Sequence, residues 1–192
     1  MNDSSAQGSG SIYSDTEHRL IKAVGSGDSA AFEALIKKYQ RPVLNFIYKY
    51  LGDRFASEDI AQEVFLRVYR ASPEFEPRGK VSTWIFRIAY NLCLNEIVRR
   101  RRVYFTADFG ENEPAPPAEI EKAGHDALKE ELMEAVRQLP EKQRAALLLR
   151  VNEELSYMEI SQVLAVSVSS VESLLFRARA NLKRLLKSRL ED

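Results

Sequence analysis

Cysteine, histidine and net charge are all scarce in this chain of 192 residues. The one cysteine, Cys93, excludes an internal disulfide and fits a reducing compartment. The two histidines, His18 and His125, lie far apart with no second thiol, so no zinc ligand set is available and neither a metal nor another cofactor is expected. No apolar run approaches the length of a membrane span, and the opening MNDSSAQGSGSIYSD has neither the basic nor the apolar part of a signal peptide. A cytoplasmic protein without direct membrane insertion is expected. Because 28 Lys and Arg balance 28 Asp and Glu, overall charge cannot drive nucleic-acid binding.

What is present is unevenly placed. Basic residues crowd Arg99 to Arg102 and Arg177 to Arg189, while Glu111 to Glu134 is mostly acidic. The length allows one large or two small domains, and a hydrophobic content of 45% is ordinary for a globular chain. Residues 1–16 are rich in Ser and Gly and read as a disordered tail. Helical periodicity begins near His18 and breaks at Gly25-Ser26-Gly27, after which Asp28 is a good cap for a helix with Phe32, Leu35, Ile36 and Tyr39 on one face. The match of Gly25 to Ala30 to GxGxxA follows a helical pattern rather than a strand, so it is not read as a dinucleotide site. Pro42 suits the first turn of a third helix carrying Val43, Phe46, Ile47, Tyr50 and Leu51.

A fourth helix opens at Ser57 and buries Ile60, Val64, Phe65, Val68 and Tyr69. Asp59, Gln62 and Glu63 fall together on its other side. Two carboxylates four apart could serve acid/base chemistry or a metal, but no supporting His or third carboxylate stands nearby, which leaves a solvated or partner-binding face.

The stretch STWIFRIAYNLCLNEIVRRRR, Ser82 to Arg102, reads as one long helix with Ser82 or Thr83 as its N-cap and arginines at the end that suits the helix dipole. Thr83, Arg87, Asn91, Asn95 and Arg99 recur every fourth residue and form a slanting polar row. On this stretch alone, a core helix with a solvated face fits as well as a grip on phosphates and base edges. Phe75, in the loop before it, is either a core plug or a base-stacking surface.

Residues 17–104 therefore form a first helical domain, and residues 105–125, with Pro114, Pro116 and Pro117 among glutamates, read as a flexible acidic linker. A second domain, residues 126–190, begins with a helix that stops at Pro140 and another over Gln143 to Val151. Ser156 and Glu159 make a capping box for a short helix; a break at Ala165-Val166-Ser167 follows, and then a longer basic helix. This is the pattern of a helix-turn-helix, whose second helix enters the major groove by its N-terminal end. Its exposed candidates are Ser169, Ser170, Glu172, Ser173, Phe176 and Arg177. Glu172 could accept from a cytosine amino group or complete a capping box with Ser169. The fold class expected is all-α: two small helical domains joined by a flexible acidic linker, the second a helix-turn-helix domain of winged-helix-like, four-helix form.

The blocks GDSAAFEALIKKYQRPV, EDIAQEVFLRVYRA, STWIFRIAYNLCLNEIVRRRR, LPEKQRAALLLR and LSYMEISQVLAVSVSSVESLLFRARANLKRLL, in this order, resemble the sigma-70 family of bacterial RNA polymerase initiation factors, specifically the extracytoplasmic-function (ECF, group 4) type. The resemblance covers nearly everything from Leu20 to Leu186. It implies a protein that is not an enzyme and has no catalytic residues, but binds core RNA polymerase, recognises the −35 and −10 elements of promoter DNA and melts the −10 segment. Asp59, Gln62 and Glu63 would dock on the clamp helices of the largest subunit. The −10 contacts implied are Phe75, Lys80, Thr83, Trp84, Arg87, Asn91, Asn95, Arg99 and Arg100, with Phe75 and Asn91 holding a flipped base and the arginines of Arg99 to Arg102 holding phosphates. Ser169 to Arg177 would read the −35 element, the apolar surface of the preceding helices would receive the flap of the second-largest subunit, and the linker would thread toward the RNA exit path. An anti-sigma factor is implied as a further partner.

The chain departs from the family pattern at Ala165, where Gly is common and where a negative φ is expected to make Ala tolerable. It departs again at Glu172 and Leu174, where basic residues are common; Leu174, if exposed, would face a protein partner. A stand-alone helix-turn-helix regulator is the alternative function. An enzyme using Asp59 and Glu63 has only that pair in its favour.

Overall fold

The computed structural model describes residues 8–76, 79–107 and 127–190. Its regular elements are α1 (Gly8–Gly25), α2 (Ser29–Leu51), α3 (Arg54–Ala71), a turn of 3-10 helix (Ser72–Glu74), α4 (Val81–Ala107), α5 (Ala127–Arg137), α6 (Glu141–Val151), α7 (Tyr157–Leu164) and α8 (Val168–Leu190). No strand occurs among the described residues. No single helix among them is long and apolar enough to cross a membrane.

The first unit is built on α2. Asp28 caps it by accepting hydrogen bonds from the Ala30 and Ala31 amides at 2.9 and 3.1 Å, and Gly52 ends it in the left-handed region at φ 74°. The expected break at Pro42 is absent. Leu35, Tyr39, Val43, Phe46, Ile47 and Tyr50 keep one helical register across it and are all buried, so burial worth roughly 1.5–3 kcal/mol per large side chain outweighs the ~3 kcal/mol that an interior proline costs. Against this stripe pack Val64, Phe65 and Val68 of α3 and Ile85, Phe86, Ala89, Tyr90 and Cys93 of α4. Phe86 meets Phe46 edge-on at 5.6 Å, and Tyr90 meets Tyr50 edge-on at 6.1 Å. Burial pushes the Cys93 thiol well up, leaving it inert at ordinary pH.

Several expected boundaries shift. Helix α1 starts at Gly8, inside the expected tail; with no proline between Gly8 and His18, extending an existing helix costs little beyond glycine propensity. Residues 1–7 lie outside the described residues. Helix α3 opens at Arg54 rather than Ser57, because Asp53 accepts from the Ala56 amide at 3.0 Å and so supplies the cap. Tyr69, expected in the core, is largely exposed and lies against Phe32 at 5.0 Å. Neither Ser82 nor Thr83 caps α4: the helix already includes both, and the Trp84 amide donates to the Lys80 carbonyl. Its C-terminal end runs through Ala107, past the expected linker boundary, and the remainder of that linker, residues 108–125, lies outside the described residues.

The second unit comprises α5 to α8. Its core is Val136, Leu139, Ala145, Ala146, Leu148, Leu149, Ile160, Val163, Leu164, Val171, Leu175 and Ala178. The capping box at the head of α7 forms as expected, with the Ser156 amide donating to Glu159 at 2.7 Å and the Glu159 amide donating to Ser156 Oγ at 3.3 Å. The axes of α7 and α8 bend by 96° across the turn, as a helix-turn-helix requires.

The two units pack directly on each other and share a continuous apolar core. Helix α7 lies on α4, and α5 and α6 meet the end of α2. Arg144 of α6 donates to the Tyr50 carbonyl at 2.6 Å and to the Leu139 carbonyl at 3.1 Å, and its guanidinium stands 5.2 Å from the centre of the Tyr50 ring. It thus satisfies one of the orphan carbonyls at the end of α2. Gly52 is needed for its positive φ; a Cβ there would also displace the flexible Arg137 side chain, whose Cδ would lie 2.6 Å away.

Candidate nucleic-acid interface

The connection from α3 to α4 carries an aromatic cluster. Phe75, the first residue after the 3-10 turn, lies 4.8 Å from the Trp84 ring, and His18 of α1 lies 5.9 Å from Phe75 on another side. His18 Nε2 also donates to the Gly79 carbonyl at 2.8 Å, which braces the far end of the same loop. Around this cluster is a cavity of about 390 Å³ lined by Phe75, Gly79, Lys80, Thr83, Trp84 and Arg87, with Gln162 of α7 on its rim. Phe75 and Trp84 are each partly exposed, so the cavity has aromatic walls that solvent reaches.

Of the slanting row on α4, Arg87, Asn91, Asn95 and Arg99 face solvent. Thr83 does not. It is 4% exposed, and its Oγ1 is covered without a hydrogen-bond partner, so it lines the cavity rather than extending the outer row. Arg87 makes no ion pair among the described residues, whereas the arginines further along are committed. Arg99 donates twice to Glu96, at 2.7 and 2.8 Å. Arg100 donates to Glu96 at 2.7 Å and to Asp53 at 2.8 Å, which ties the end of α4 to the cap of α3. Arg101 donates to Glu141 of α6 at 2.5 Å. The hydrogen bond from Arg99 is the main reason the Glu96 carboxyl lies below its usual range. A phosphate at this end must therefore compete with Glu96.

Asp59 and Gln62 are exposed on α3, and Glu63 beside them is half-exposed and pairs with Arg67 at 2.7 Å. Among the described residues, no group of three His, Cys, Asp or Glu side chains is placed to hold a metal. Phe55, Leu66 and Tyr69 are exposed on the same helix. Positions 55, 59, 62, 66 and 69 follow helical spacing, so a mixed apolar and acidic stripe runs the length of α3. Sequence reasoning named only its polar members. The spacing of Phe55 and Leu66 from Asp59 and Gln62 was the available signal.

At the head of α8, Ser169, Glu172, Ser173, Phe176 and Arg177 are exposed and Ser170 is half-buried. Ser167 is the cap, accepting from the Ser170 amide at 3.2 Å. Ser169 lies inside the helix, so the capping box considered for Ser169 and Glu172 does not form, and the Glu172 carboxylate is left facing solvent. Leu174 is half-buried against the core rather than displayed. Ala165 adopts φ 51°, the left-handed region, against the expected negative φ: the 96° turn needs that conformation whichever residue occupies it.

Comparison with known proteins agrees with this geometry. The family profile of Sigma-70 region 2 matches residues 35–103, and that of Sigma-70, region 4 matches residues 129–182. RNA polymerase sigma-H factor of Pseudomonas aeruginosa is 34% identical over 192 residues, covering 94% of this chain and 99% of that protein. ECF RNA polymerase sigma-E factor of Escherichia coli is 35% identical over 176 residues, covering 85% and 91%. ECF RNA polymerase sigma factor SigW of Bacillus subtilis is 32% identical over 179 residues, covering 88% and 96%. Among solved structures, the fold resembles CnrH bound to the cytosolic domain of CnrY, with a TM-score of 0.67 at 21% identity over 90% of this chain and 97% of that one. It also resembles the sigma factor RpoE bound to the anti-sigma factor NepR from Bartonella quintana, with a TM-score of 0.69 at 22% identity over 81% and 96%. With both family regions present in order, and with relatives this similar over almost their whole length, the chain belongs to the ECF type of the sigma-70 family.

Proposed function

We propose that this sigma factor opens its promoter by capturing an unstacked −10 base in the cavity that Phe75 and Trp84 line side by side. The exposed row of Arg87, Asn91 and Asn95 follows the strand leading from that cavity. Taking a base out of a duplex costs a few kcal/mol, and stacking on an aromatic side chain returns about 1–3 kcal/mol per base. Asn91 supplies an amide that can both donate to and accept from a base edge. Lys80 and Arg87 supply charge for the backbone, with Arg99 and Arg100 available once they leave Glu96. The observation that carries this reading is the solvent-reached cavity with two aromatic walls at the head of an exposed amide-bearing helix.

The stripe of Phe55, Asp59, Gln62, Leu66 and Tyr69, with Glu63 beside it, suits a helical partner: apolar side chains give area and the carboxylates give register. We assign it to the clamp helices of core polymerase. The exposed Ser169, Glu172, Ser173, Phe176 and Arg177 read the −35 element in the major groove, with Glu172 free to accept from a cytosine amino group. Exposed Val151 and Met158, on α6 and α7, form the apolar surface for the flap. Like its polymerase partner, the protein works in the cytoplasm. Two structural neighbours are each held by a protein partner, CnrY or the anti-sigma factor NepR, which supports an anti-sigma factor for this chain as well.

Charge reversal tests the assignment of α3. Asp59→Lys/Glu63→Lys should weaken binding to core polymerase by about a hundredfold and abolish initiation, while binding of −35 duplex DNA stays unchanged. Unchanged core binding would remove α3 from the interface. A stand-alone regulator would instead hold its operator equally well with or without core enzyme.

A further inference from the structure

Helix α1 has no role in the reading given above, yet it meets the connection that carries Phe75 at two places. At its last residue, Gly25, a Cβ would stand 2.7 Å from the Ser72 carbonyl oxygen and 3.0 Å from Pro73 Cα, so backbone meets backbone there. Two turns back along α1, the half-buried His18 ring lies 5.9 Å from the Phe75 ring and tilted 47° to it, while His18 Nε2 donates to the Gly79 carbonyl at 2.8 Å. A carbonyl only accepts, so Nε2 carries the proton. On the α3 side of Phe75 the chain holds itself: the Phe75 amide donates to the Ser72 carbonyl at 3.2 Å, and Ser72 Oγ donates to the Tyr69 carbonyl at 2.7 Å. On the α4 side, the hydrogen bond from His18 to Gly79 is the restraint that α1 supplies. The Phe75 ring thus packs against two others, Trp84 of α4 at 4.8 Å and His18 of α1. His18 itself does not line the cavity.

We propose that His18 is a positioning residue for promoter melting: from α1 it holds Phe75 and Gly79 together, so that the Phe75 wall is already set against Trp84 when a base leaves the duplex. The idea rests on the base-capture reading of the cavity. A wall that has to be ordered at the moment of capture subtracts its lost chain entropy from the stacking energy, whereas a wall braced beforehand does not. The influence of the brace is also confined. Its contacts are with Phe75 and Gly79, not with the exposed stripe of α3 or the head of α8, so core binding and duplex docking do not depend on it.

The test compares His18→Ala, His18→Gln and His18→Phe, each as the full chain and as holoenzyme on a promoter that the wild-type holoenzyme opens. Gln places an amide donor near the position of Nε2, and Phe keeps a ring without a donor. Permanganate reactivity in the −10 segment, divided by the bound fraction from gel-shift titration, gives the melted fraction per complex. It should fall about fivefold in His18→Ala and His18→Phe, as expected for one lost hydrogen bond, and return to within about twofold of wild type in His18→Gln. Core binding and closed-complex affinity should match wild type in all three. Trp84 is the one tryptophan of the chain, so its quenching by acrylamide in the full chain without core enzyme reads the wall directly. Quenching should be faster in His18→Ala and His18→Phe and unchanged in His18→Gln. If His18→Ala impairs folding, His18→Phe against His18→Gln makes the same comparison. Wild-type melting in both donor-free variants, a loss that His18→Gln fails to repair, or a loss that merely follows weaker core or duplex binding would overturn the positioning role and leave base capture intact. Normal promoter opening by a Phe75→Ala holoenzyme would instead remove the base-capture reading, and the role of His18 with it.

Discussion

Helices α4 and α8 are the two DNA-reading candidates, and they are prepared in opposite ways. Most of the cationic groups on α4 and just before it already have carboxylate partners: Lys80 with Glu159, Arg99 and Arg100 with Glu96, and Arg101 with Glu141. The head of α8 carries Glu172, Ser173, Phe176 and Arg177 in the open, with Phe176 74% exposed. A surface that must meet a duplex first benefits from being open. A surface that must meet a single strand only after melting benefits from being occupied until then, since a free cationic groove binds any single strand. On the proposed roles, the difference predicts an order of events: α8 docks first, and α4 acts once its own carboxylates have been displaced.

The sharpest way to break this contrast is to remove one aromatic from each surface. Phe75→Ala should lower the fraction of open complex about tenfold or more, in line with the loss of a stacking wall, and leave closed-complex affinity close to wild type. Phe176→Ala should do the reverse, weakening duplex binding several-fold with the same melted fraction per bound complex. Permanganate footprinting alongside gel-shift titration separates the two quantities. If both substitutions move the same readout, the division of labour between α4 and α8 is wrong.

The parts of this contrast that the sequence displayed are those set by local periodicity. The capping box at Ser156 and Glu159, the break before α8 and the exposed Asn91 row follow from spacing alone, because caps and helix faces are decided within a few residues. What the sequence hid depends on tertiary burial. Pro42 signals a helix start locally, yet the stripe from Leu35 to Tyr50 runs through it because the core rewards an unbroken register. Thr83 belongs to the polar row by spacing, but the packing of α7 and the aromatic loop over the first turns of α4 covers it. Tyr69 has the spacing of a core residue and is exposed, since Phe32 meets only one side of its ring. The commitment of the arginines to Glu96 was partly visible as i, i+3 and i, i+4 pairs. The reach of Arg101 to Glu141 and of Lys80 to Glu159 crosses from one unit to the other and leaves no mark in local pattern.

A smaller effect is expected at the turn that aims α8. Ala165 holds φ 51° and ψ 52°, a conformation that costs a non-glycine residue roughly 1–2 kcal/mol. Glycine removes that strain but adds freedom to the unfolded chain, so Ala165→Gly should stabilise the fold by no more than about 1 kcal/mol. The measurement is a shift of the denaturation midpoint to higher urea at unchanged slope. Since the turn belongs to α8 and not to the aromatic cavity, open-complex formation per bound promoter should be unaffected, which separates the two surfaces once more. A destabilised Ala165→Gly protein would mean that the turn is not left-handed.

The smallest effect concerns the cleft between the units, where Glu153 lines a second cavity of about 410 Å³ together with Glu17, Lys38, Lys80, Glu154 and Glu159. Burial pushes the Glu153 carboxyl up to about 7, although Lys49 pulls it back. In the folded chain Glu153 therefore keeps its proton to a higher pH than in the unfolded chain. Its contribution to stability is full below its ordinary value of about 4.3 and is lost as pH rises toward 7, because over that window the folded state binds more protons than the unfolded one. Its neighbour Glu159 works in the opposite sense. Burial acts against its charged form, but Lys80 and Ser156 outweigh burial and hold its carboxyl below the usual range, so its contribution is present above that range and lost only in acid. Between about pH 5 and 8 the Glu153 effect should therefore dominate this cleft. Glu153→Gln should flatten the decline in stability over that interval and raise stability at pH 8 by about 1 kcal/mol or less, the half-exposed site being screened by solvent. An identical pH slope in the two proteins would show that the cleft is already hydrated and that α7 rests on α4 without burying this carboxylate.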